Sequence, residues 1–254
     1  MAARWLRLLV AIVLATGACH EAVAAANFAG WATVVVAGDD QGAHDDRPTK
    51  AFDNARHDVA AALVRRGFSG GDIVQFSLHP GLYPEDRAIR TAFGPIALRL
   101  GDLASRARDG CLVYFTSHGS PEGILVGDRI VSPAVMASLI GRACGTRPTA
   151  VILSACFSGV FLPALSAPNR FVLTAARRDR SSFGCGESDR YPFFDGCVIE
   201  DLPRAGDFVD LAGRVKQCVA AREDRERMRP RSRPQLFVGA AFRAAEPAFA
   251  APAG

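Results

Sequence analysis

The chain has little net charge and few cysteines for its length. Its 254 residues include 30 lysines and arginines against 26 aspartates and glutamates, a formal charge of +4, which argues against bulk nucleic-acid binding. Seven cysteines are too few for a disulfide-dense miniprotein. The chain also lacks the low hydrophobicity of a disordered protein, since 49% of its residues are hydrophobic and 22% are charged. A chain of this length can bury a sizeable core, and we expect one domain.

Long apolar runs are absent beyond the N-terminus, and the run found there is short. Two arginines within the first seven residues precede the apolar run 8–15, which is shorter than the roughly 20 residues needed to cross a bilayer. With the A-x-A site at residues 22–24, this pattern predicts a signal peptide over residues 1–24. The alternative is a bacterial lipoprotein signal, in which a lipidated Cys19 would be the protein's membrane contact. Both interpretations predict an exported protein, periplasmic or secreted.

Apolar strands alternate with helices along the rest of the chain. Uninterrupted apolar runs are typical of strands that are buried on both faces. The predicted strands are 32–37, 72–78, 112–115, 150–153, 171–174 and 235–238, the predicted hairpin is 123–131, and the predicted helices are 51–66, 85–107 (interrupted at Gly94-Pro95), 133–143 and 207–228. This alternation predicts an α/β domain over 25–243, with a mostly parallel central sheet flanked by helices. The Ala/Pro-rich tail over 244–254 is expected to be disordered.

A histidine and a cysteine follow two of these strands at their carboxyl ends, where parallel sheets bind their ligands. His118 follows strand 112–115, and Cys156 follows strand 150–153. A cysteine peptidase needs a thiolate nucleophile and a nearby imidazole that exchanges protons with it. Taken singly, a buried apolar cysteine and a loop histidine bonded to backbone are the commoner interpretations. The matching positions of the two residues favour the catalytic pair.

The sequence around this pair resembles a known family. Residues 117–120 (Ser-His-Gly-Ser) and 154–159 (Ser-Ala-Cys-Phe-Ser-Gly) are similar to the two catalytic motifs of legumain-type cysteine peptidases, which share a clan with the caspases. Segments 174–185 and 234–239 also resemble members of that family. The resemblance extends over about residues 31–240.

The resemblance implies both a fold and a set of catalytic roles. The fold would be a caspase-like three-layer sandwich. Cys156 would be the nucleophile, His118 the general acid and base, and the backbone amides of Gly119 and Cys156 the oxyanion hole. The family's chemistry implies neither a metal nor an organic cofactor.

The sequence departs from legumain at positions that govern specificity. Ser154 stands where legumain carries a glutamate that helps bind the substrate's asparagine. Residues 48–51 do not match the run that supplies legumain's auxiliary asparagine and pocket arginine. We therefore do not expect asparaginyl specificity, and no third residue stands out as one that would orient His118.

Four residues lie in stretches that resemble the family's primary pocket and are candidates for substrate binding: Ser154, Ser181, Ser182 and Asp195. An acidic group at Asp195 would favour a basic or amide-bearing P1 residue. The structural alternatives are a solvated loop at the two adjacent serines and a turn at Asp195, which precedes Gly196.

The other cysteines allow several pairings. In an oxidising compartment Cys185 could pair with Cys197, and Cys144 with Cys218, but the spacing leaves the choice open. Cys111 opens a strand and is expected in the core. At least one free thiol besides the nucleophile is expected, and the spacing is unlike that of a zinc site.

Two charged clusters have a binding interpretation and a structural one. The acidic pairs 39–40 and 45–46 could bind a divalent ion, but a polar loop after a strand is the favoured interpretation. The run Arg222–Arg233 holds six arginines and could bind a polyanion. Because acidic residues are interleaved with them, a solvated helix end with internal salt bridges is favoured.

The sequence leaves P1 specificity, zymogen activation and oligomeric state open, but it predicts a reaction class. We expect an exported cysteine endopeptidase that cleaves peptide or protein substrates through a Cys-His dyad and an acyl-enzyme. The alternatives are a catalytically silent fold used for binding or assembly, a transpeptidase or ligase, and an esterase or amidase with the same dyad.

Overall fold

A central sheet of seven strands organises the domain. The computed structural model describes residues 28–42, 47–245 and 248–249, so the expected signal peptide and Cys19 lie outside the described residues. The strands are β1 (Trp31–Ala37), β2 (Ile73–Ser77), β3 (Ile89–Arg90), β4 (Gly110–Thr116), β5 (Gly119–Ser120), β6 (Gly123–Val126), β7 (Arg129–Val131), β8 (Thr149–Ser154), β9 (Arg170–Thr174) and β10 (Gln235–Val238). The large sheet has the order β10-β9-β8-β4-β1-β2-β3, and β5, β6 and β7 form a second, small sheet. Within the large sheet every pair is parallel except β9 with β10.

Helices cover both faces of the large sheet. They are α1 (Ala51–Arg65), α2 (Phe93–Arg106), α3 (Pro133–Cys144), α4 (Leu162–Leu165), α5 (Phe193–Asp201), α6 (Phe208–Arg225) and α7 (Ala240–Ala244). Apolar residues of α1, α5 and α6 form a core on one face, and those of α2 and α3 form a core on the other. Strands β1, β4, β8 and β9 are buried along their whole length between the two cores. The predicted α/β three-layer sandwich is confirmed.

Two helical regions of the structure differ from the prediction. The region 85–107 contains a 3₁₀ turn, the short strand β3, and a helix that starts only at Phe93. Pro95 therefore lies in the first turn of α2, where its missing N–H costs no hydrogen bond. Helix α5 was not predicted, because six of its nine residues are buried and it lacks the polar face that makes a helix visible as a periodic pattern.

The C-terminal tail is anchored at one aromatic residue. Phe249 is 5% exposed, its ring packs against those of Phe28 and Phe208, and its amide donates to the carbonyl of Gly206. The expectation of disorder over 244–254 therefore does not hold at Phe249, since an aromatic ring that finds a core site outweighs the Ala/Pro-rich composition around it. The other tail residues beyond Ala245 lie outside the described residues, apart from Ala248.

The disulfides join different cysteines from those considered from the sequence. Cys111 of β4 is bonded to Cys144 of α3, and Cys197 of α5 is bonded to Cys218 of α6. Cys144 and Cys218 cannot pair, because they belong to cores on opposite faces of the sheet. Cys185 is free, as is Cys156, so the expectation of a second free thiol is confirmed.

Two further observations bear on possible ligands. No helix in the described part of the chain is long and apolar enough to cross a membrane. The same residues contain no group of three or more histidine, cysteine, aspartate or glutamate side chains that could hold a metal ion. In the first acidic pair, Asp40 contacts His79 at 2.6 Å, whereas residues 45–46 lie outside the described residues.

Candidate active site

The sheet register brings three polar residues to one level. Ala37 of β1 is paired with Thr116 of β4, and Thr116 is paired with Ser154 of β8. Asp39, His118 and Cys156 each stand two residues beyond these partners. Because the three strands are adjacent and parallel, the three residues emerge side by side at the carboxyl edge of the sheet.

The segments that carry His118 and Cys156 are in direct backbone contact. A Cβ atom at Gly119 would lie 2.3 Å from the carbonyl oxygen of Cys156, so only glycine fits between the histidine and cysteine loops. The amide of Ser117 also donates to the carbonyl of Ser154 at 3.0 Å. The position of His118 relative to Cys156 is therefore fixed by the main chain.

A tight turn carries the cysteine. Cys156 is half-buried, and the next residue, Phe157, has a left-handed conformation with φ 56°, which is costly for a bulky side chain. A Cβ at Gly159 would lie 2.5 Å from the amide nitrogen of Arg178. The amide of Phe157 donates to the carbonyl of Arg180 at 2.8 Å. The strained turn is thus held against the loop that follows β9.

That loop also supplies the groups around the sulfur. The amide of Ser182 donates to Cys156 Sγ at 3.2 Å, and the hydroxyl and carbonyl oxygens of Ser182 each lie 3.6 Å from it. An N–H group directed at the sulfur stabilises negative charge there. Ser181, by contrast, is exposed. Of the two adjacent serines, Ser182 is the one in contact with Cys156.

His118 is held by the loop after β1. Its Nε2 lies 3.1 Å from the carbonyl oxygen of Gln41 and 4.0 Å from Asp39 Oδ2, and its ring packs edge-on against Phe52. Because a carbonyl oxygen only accepts, Nε2 carries the hydrogen in this contact, and Nδ1 of a neutral ring is then the basic nitrogen.

Asp39 is the residue that sequence reasoning missed. It is 5% exposed, and its Oδ1 accepts from the amides of Asp40 at 2.8 Å and Gln41 at 3.3 Å. The carboxylate therefore shapes the turn that presents the Gln41 carbonyl to His118. In the sequence Asp39 shows only that it lies two residues past a strand. That position indicates proximity to His118 only when the order of the strands is known.

Asp195 and Ser154 meet in the buried interior, next to the turn that carries Cys156, rather than at an open surface. Asp195 lies in the first turn of α5, is fully buried, and accepts hydrogen bonds from the hydroxyls of Ser154 (2.6 Å), Thr116 (2.9 Å) and Tyr114. Burial raises the pKa of the Asp195 carboxyl to about 6, although these hydroxyl bonds act in the opposite direction. Burial and the Asp195 charge also raise the pKa of Tyr114 well above its usual value. The cluster supports the carboxyl ends of β4 and β8, and neither acid nor serine is exposed to a substrate in this conformation.

Two cavities border this edge of the sheet. One of about 580 Å³ begins at Ser182 and includes Cys185, Asp189 and Glu226 in its lining, with no cationic side chain among the described residues that line it. A smaller one, of about 160 Å³, lies on the other side, between His118 and the small sheet. Acidic groups therefore line a cavity beside Ser182, the residue that contacts Cys156, although Asp195 is not one of them.

The second free thiol differs sharply from Cys156 in its surroundings. Burial, together with the charges of Cys156 and Asp189, raises the pKa of the Cys185 thiol to about 12. A thiol with that pKa stays protonated at neutral pH and is a poor nucleophile. Cys185 therefore lines the cavity as a protonated thiol.

The stretch that does not match legumain has a structural role here. The hydroxyl of Thr49 donates to the carbonyl of Gly186 at 3.0 Å, and Asn54 donates to the carbonyl of Arg190 at 3.1 Å. The hydroxyl of Tyr191 donates to Asp58. These contacts fasten the loop 186–191, which includes part of the cavity lining, to Thr49 and to helix α1.

Comparisons with known proteins bear on the family and the fold of the chain. A family model described as the peptidase C13 family matches residues 17–197, which include His118 and Cys156. No curated protein sequence matches the chain. Among solved structures, the crystal structure of caspase-1 from Spodoptera frugiperda is similar, with a TM-score of 0.60 and 14% sequence identity over 84% of this chain and 87% of that one. At this identity the likeness concerns the fold alone. The family match covers well over half of the chain, and the chain therefore belongs to the peptidase C13 family, the legumain-type cysteine peptidases.

Proposed function

We propose that the protein is an endopeptidase in which Cys156 is the nucleophile and His118 the general acid and base. The observation that carries this proposal is the common level of Asp39, His118 and Cys156, each two residues beyond one of three adjacent parallel strands. The half-buried thiol and the partly exposed imidazole, 28% accessible, are both open to a peptide that lies along this edge. Backbone contact through Gly119 keeps the two groups in a fixed relation.

The reaction follows from these positions. His118 takes the thiol proton, and Cys156 Sγ adds to the carbonyl carbon of the scissile bond. The amides of Gly119 and Cys156 stabilise the negative charge on the carbonyl oxygen. His118 returns the proton to the leaving amine as the C–N bond breaks, which leaves an acyl-enzyme. Water, deprotonated by His118, then hydrolyses the thioester and restores the thiol.

Asp39 positions the imidazole ring of His118. The Gln41 carbonyl holds Nε2 of His118, and the Asp39 carboxylate maintains the turn that carries that carbonyl. With Nε2 occupied, the proton exchanged with sulfur is carried by Nδ1. Asp39 thus acts through the ring and touches neither the substrate nor the nucleophile in this mechanism.

The cavity of about 580 Å³ that includes Asp189 and Glu226 in its lining is called the acidic cavity from here on. It supports a preference for a basic or amide-bearing P1 side chain. It adjoins Ser182, whose amide contacts the nucleophile, and two carboxylates line it, those of Asp189 and Glu226. A cationic or amide group that enters it finds complementary charge and hydrogen-bond acceptors. Asp195 contributes indirectly, by holding Ser154 beneath the nucleophile.

Export is part of the proposal. The two disulfides, Cys111–Cys144 and Cys197–Cys218, support an oxidising compartment. The N-terminal pattern supports a signal peptide, with lipidation at Cys19 as the variant that would anchor the protein to a membrane.

The direct test is turnover of a peptide library by the purified protein, with cleavage sites read by mass spectrometry. We expect discrete cleavage that is lost in Cys156→Ala and in His118→Ala and retained in Cys185→Ala. Comparison with ester substrates separates a peptidase from an esterase, and an added amine that becomes joined to the acyl fragment would identify a transpeptidase. Absence of any turnover by the wild-type protein would instead support a silent binding role.

A further inference from the structure

A large basic cavity lies outside the site described above. Its volume is about 610 Å³, and its walls come from the loop after β9, from α6, and from the segment between α6 and β10. Five cationic side chains line it: Arg180, Lys216, Arg229, Arg231 and Arg233. Four of these five follow residue 197, where the family match ends. We refer to this site as the basic cavity.

The basic cavity adjoins the nucleophile through one loop. The carbonyl of Arg180 accepts from the amide of Phe157, the residue after Cys156, and the amide of Ser182 contacts Cys156 Sγ. The amide of Arg177 donates to the carbonyl of Ser232 at 2.8 Å, which joins this loop to the opposite wall. The loop that contacts Cys156 and Phe157 therefore also forms part of the wall of the basic cavity.

The cations exceed the acids that neutralise them. Asp224 is shared by Arg229 and Arg231, and Asp179 is shared by Arg177 and Arg180. The one carboxylate in the lining, Glu223, is 1% exposed and accepts from the amide of Ser232. Among the described residues neither Lys216 nor Arg233 has an ion-pair partner, and both are exposed. The cavity therefore has an unneutralised positive charge.

Hydrogen bonds hold in place the arginine-rich segment that follows α6. Helix α6 ends at Arg225, and the following turn is closed by donation from the amides of Arg227 and Met228 to the carbonyls of Asp224 and Glu223. The buried Glu223 side chain then holds the amide of Ser232 at 2.9 Å. The arginine-rich run thus contains the internal salt bridges expected of it, and it also builds one wall of a concave site.

We propose that the basic cavity is a substrate subsite that takes an aspartate or glutamate side chain located a few residues from the scissile bond. The inference rests on the proposed peptidase function. The acidic cavity and the basic cavity both border the loop 177–186. A peptide bound along this loop would meet negative charge in one cavity and positive charge in the other. The substrate class is a peptide with a basic or amide side chain at the cut and an acidic one further along.

The test is a position scan in a set of internally quenched peptides that share one cleavable core. A single glutamate is moved through the positions on both sides of the cut, and each peptide is compared with its glutamine counterpart. We expect one position, or two adjacent ones, at which glutamate raises kcat/KM about tenfold over glutamine at low salt. In the variant Lys216→Glu/Arg233→Glu this ratio falls to about one or below.

A matched control comes from the opposite face of the sheet. Arg99 of α2 and Arg142 of α3 are exposed. Arg99→Glu/Arg142→Glu changes the net charge by the same amount as Lys216→Glu/Arg233→Glu without touching the basic cavity, so the glutamate-to-glutamine ratio stays high. A ratio of about one at every position in the wild-type protein would overturn the proposal, as would a high ratio that survives Lys216→Glu/Arg233→Glu.

Failure of the peptidase proposal is distinguished by a binding assay. Fluorescein-labelled peptides with glutamate or glutamine are titrated into Cys156→Ala, and anisotropy is measured. Preferential binding of the glutamate peptide, lost with Lys216→Glu/Arg233→Glu, supports the acidic-peptide site even if no cleavage is detected. Binding of dextran sulfate without any preference for the glutamate peptide would contradict it and favour a polyanion site.

Discussion

At the scale of single residues, Cys156 and Cys185 have the same side chain but different surroundings. Cys156 stands on a strained turn and receives an amide hydrogen bond from Ser182. Cys185 lies within the same region, but burial and neighbouring negative charge raise the pKa of its thiol to about 12. Because the thiolate is the reactive form, this environment argues against Cys185 as a nucleophile.

The positioning role of Asp39 gives a prediction at the same scale. Asp39→Ala removes the acceptor that holds the amides of Asp40 and Gln41, and we expect kcat to fall roughly 10- to 100-fold with little change in KM. Asp39→Asn keeps a side-chain oxygen for the turn, so it should restore most of the activity. The measurement is steady-state kinetics of both variants, with the pH profile of kcat/KM as a second readout. A fully active Asp39→Ala would contradict this role.

The positioning role proposed for Asp39 could not be predicted from the sequence, whereas the positions of His118 and Cys156 after the ends of strands could. Those two residues fall in motifs whose chemistry is recognisable along the chain. Asp39 becomes informative only when β1 is known to lie beside β4 in register, because the three residues are far apart in sequence. Similarly, the environment of Asp195 depends on hydroxyls contributed by β4 and β8, which no local pattern reveals.

At the scale of elements, the buried strands and the hairpin were predictable, and α5 was not. The apolar runs of β1, β4, β8 and β9 are long enough to signal burial on both faces. The hairpin β6–β7 is marked by its Gly-Asp turn. Helix α5, by contrast, packs among α1, α6 and the sheet, so its sequence shows no polar face. The disulfide pairing could not be predicted from the sequence either, because it depends on which face of the sheet each helix covers.

The Cys197–Cys218 bond fastens α5 to α6, and its loss should be measurable. The two cysteines are 21 residues apart, and replacing both with serine removes a constraint on the unfolded chain. We expect the free energy of unfolding to fall by roughly 2–4 kcal/mol, as measured by guanidinium denaturation of the oxidised protein. Cys185→Ser, which breaks no disulfide, is the matched control. Equal stability of the double variant and the wild type would show that the bond does not restrain the fold.

At the scale of the whole molecule, one buried carboxyl links stability to pH. The folded protein keeps Asp195 protonated up to about pH 6, where the pKa of this carboxyl lies, whereas the unfolded chain releases the proton near pH 3.8. Folding is therefore favoured by this group below about pH 4, and the contribution is lost as pH rises through 6. The shift corresponds to a change on the order of 3 kcal/mol.

Removing this carboxyl tests the linkage. We expect Asp195→Asn to flatten the dependence of unfolding free energy on pH between 4 and 6, since the amide does not titrate. Urea denaturation at several pH values, on wild type and variant in parallel, gives the two slopes. Parallel slopes would contradict the assignment of the pH dependence to Asp195.

The central claim, that Cys156 is the nucleophile, is tested most directly by covalent labelling with an irreversible electrophilic peptide probe at neutral pH. Intact-mass measurement counts the adducts on the oxidised protein without residues 1–24, which removes Cys19, and the four disulfide-bonded cysteines do not react. The account predicts one adduct on wild type and on Cys185→Ala, and none on Cys156→Ala. Equal labelling of Cys156→Ala and wild type, or loss of the adduct in Cys185→Ala, would contradict it.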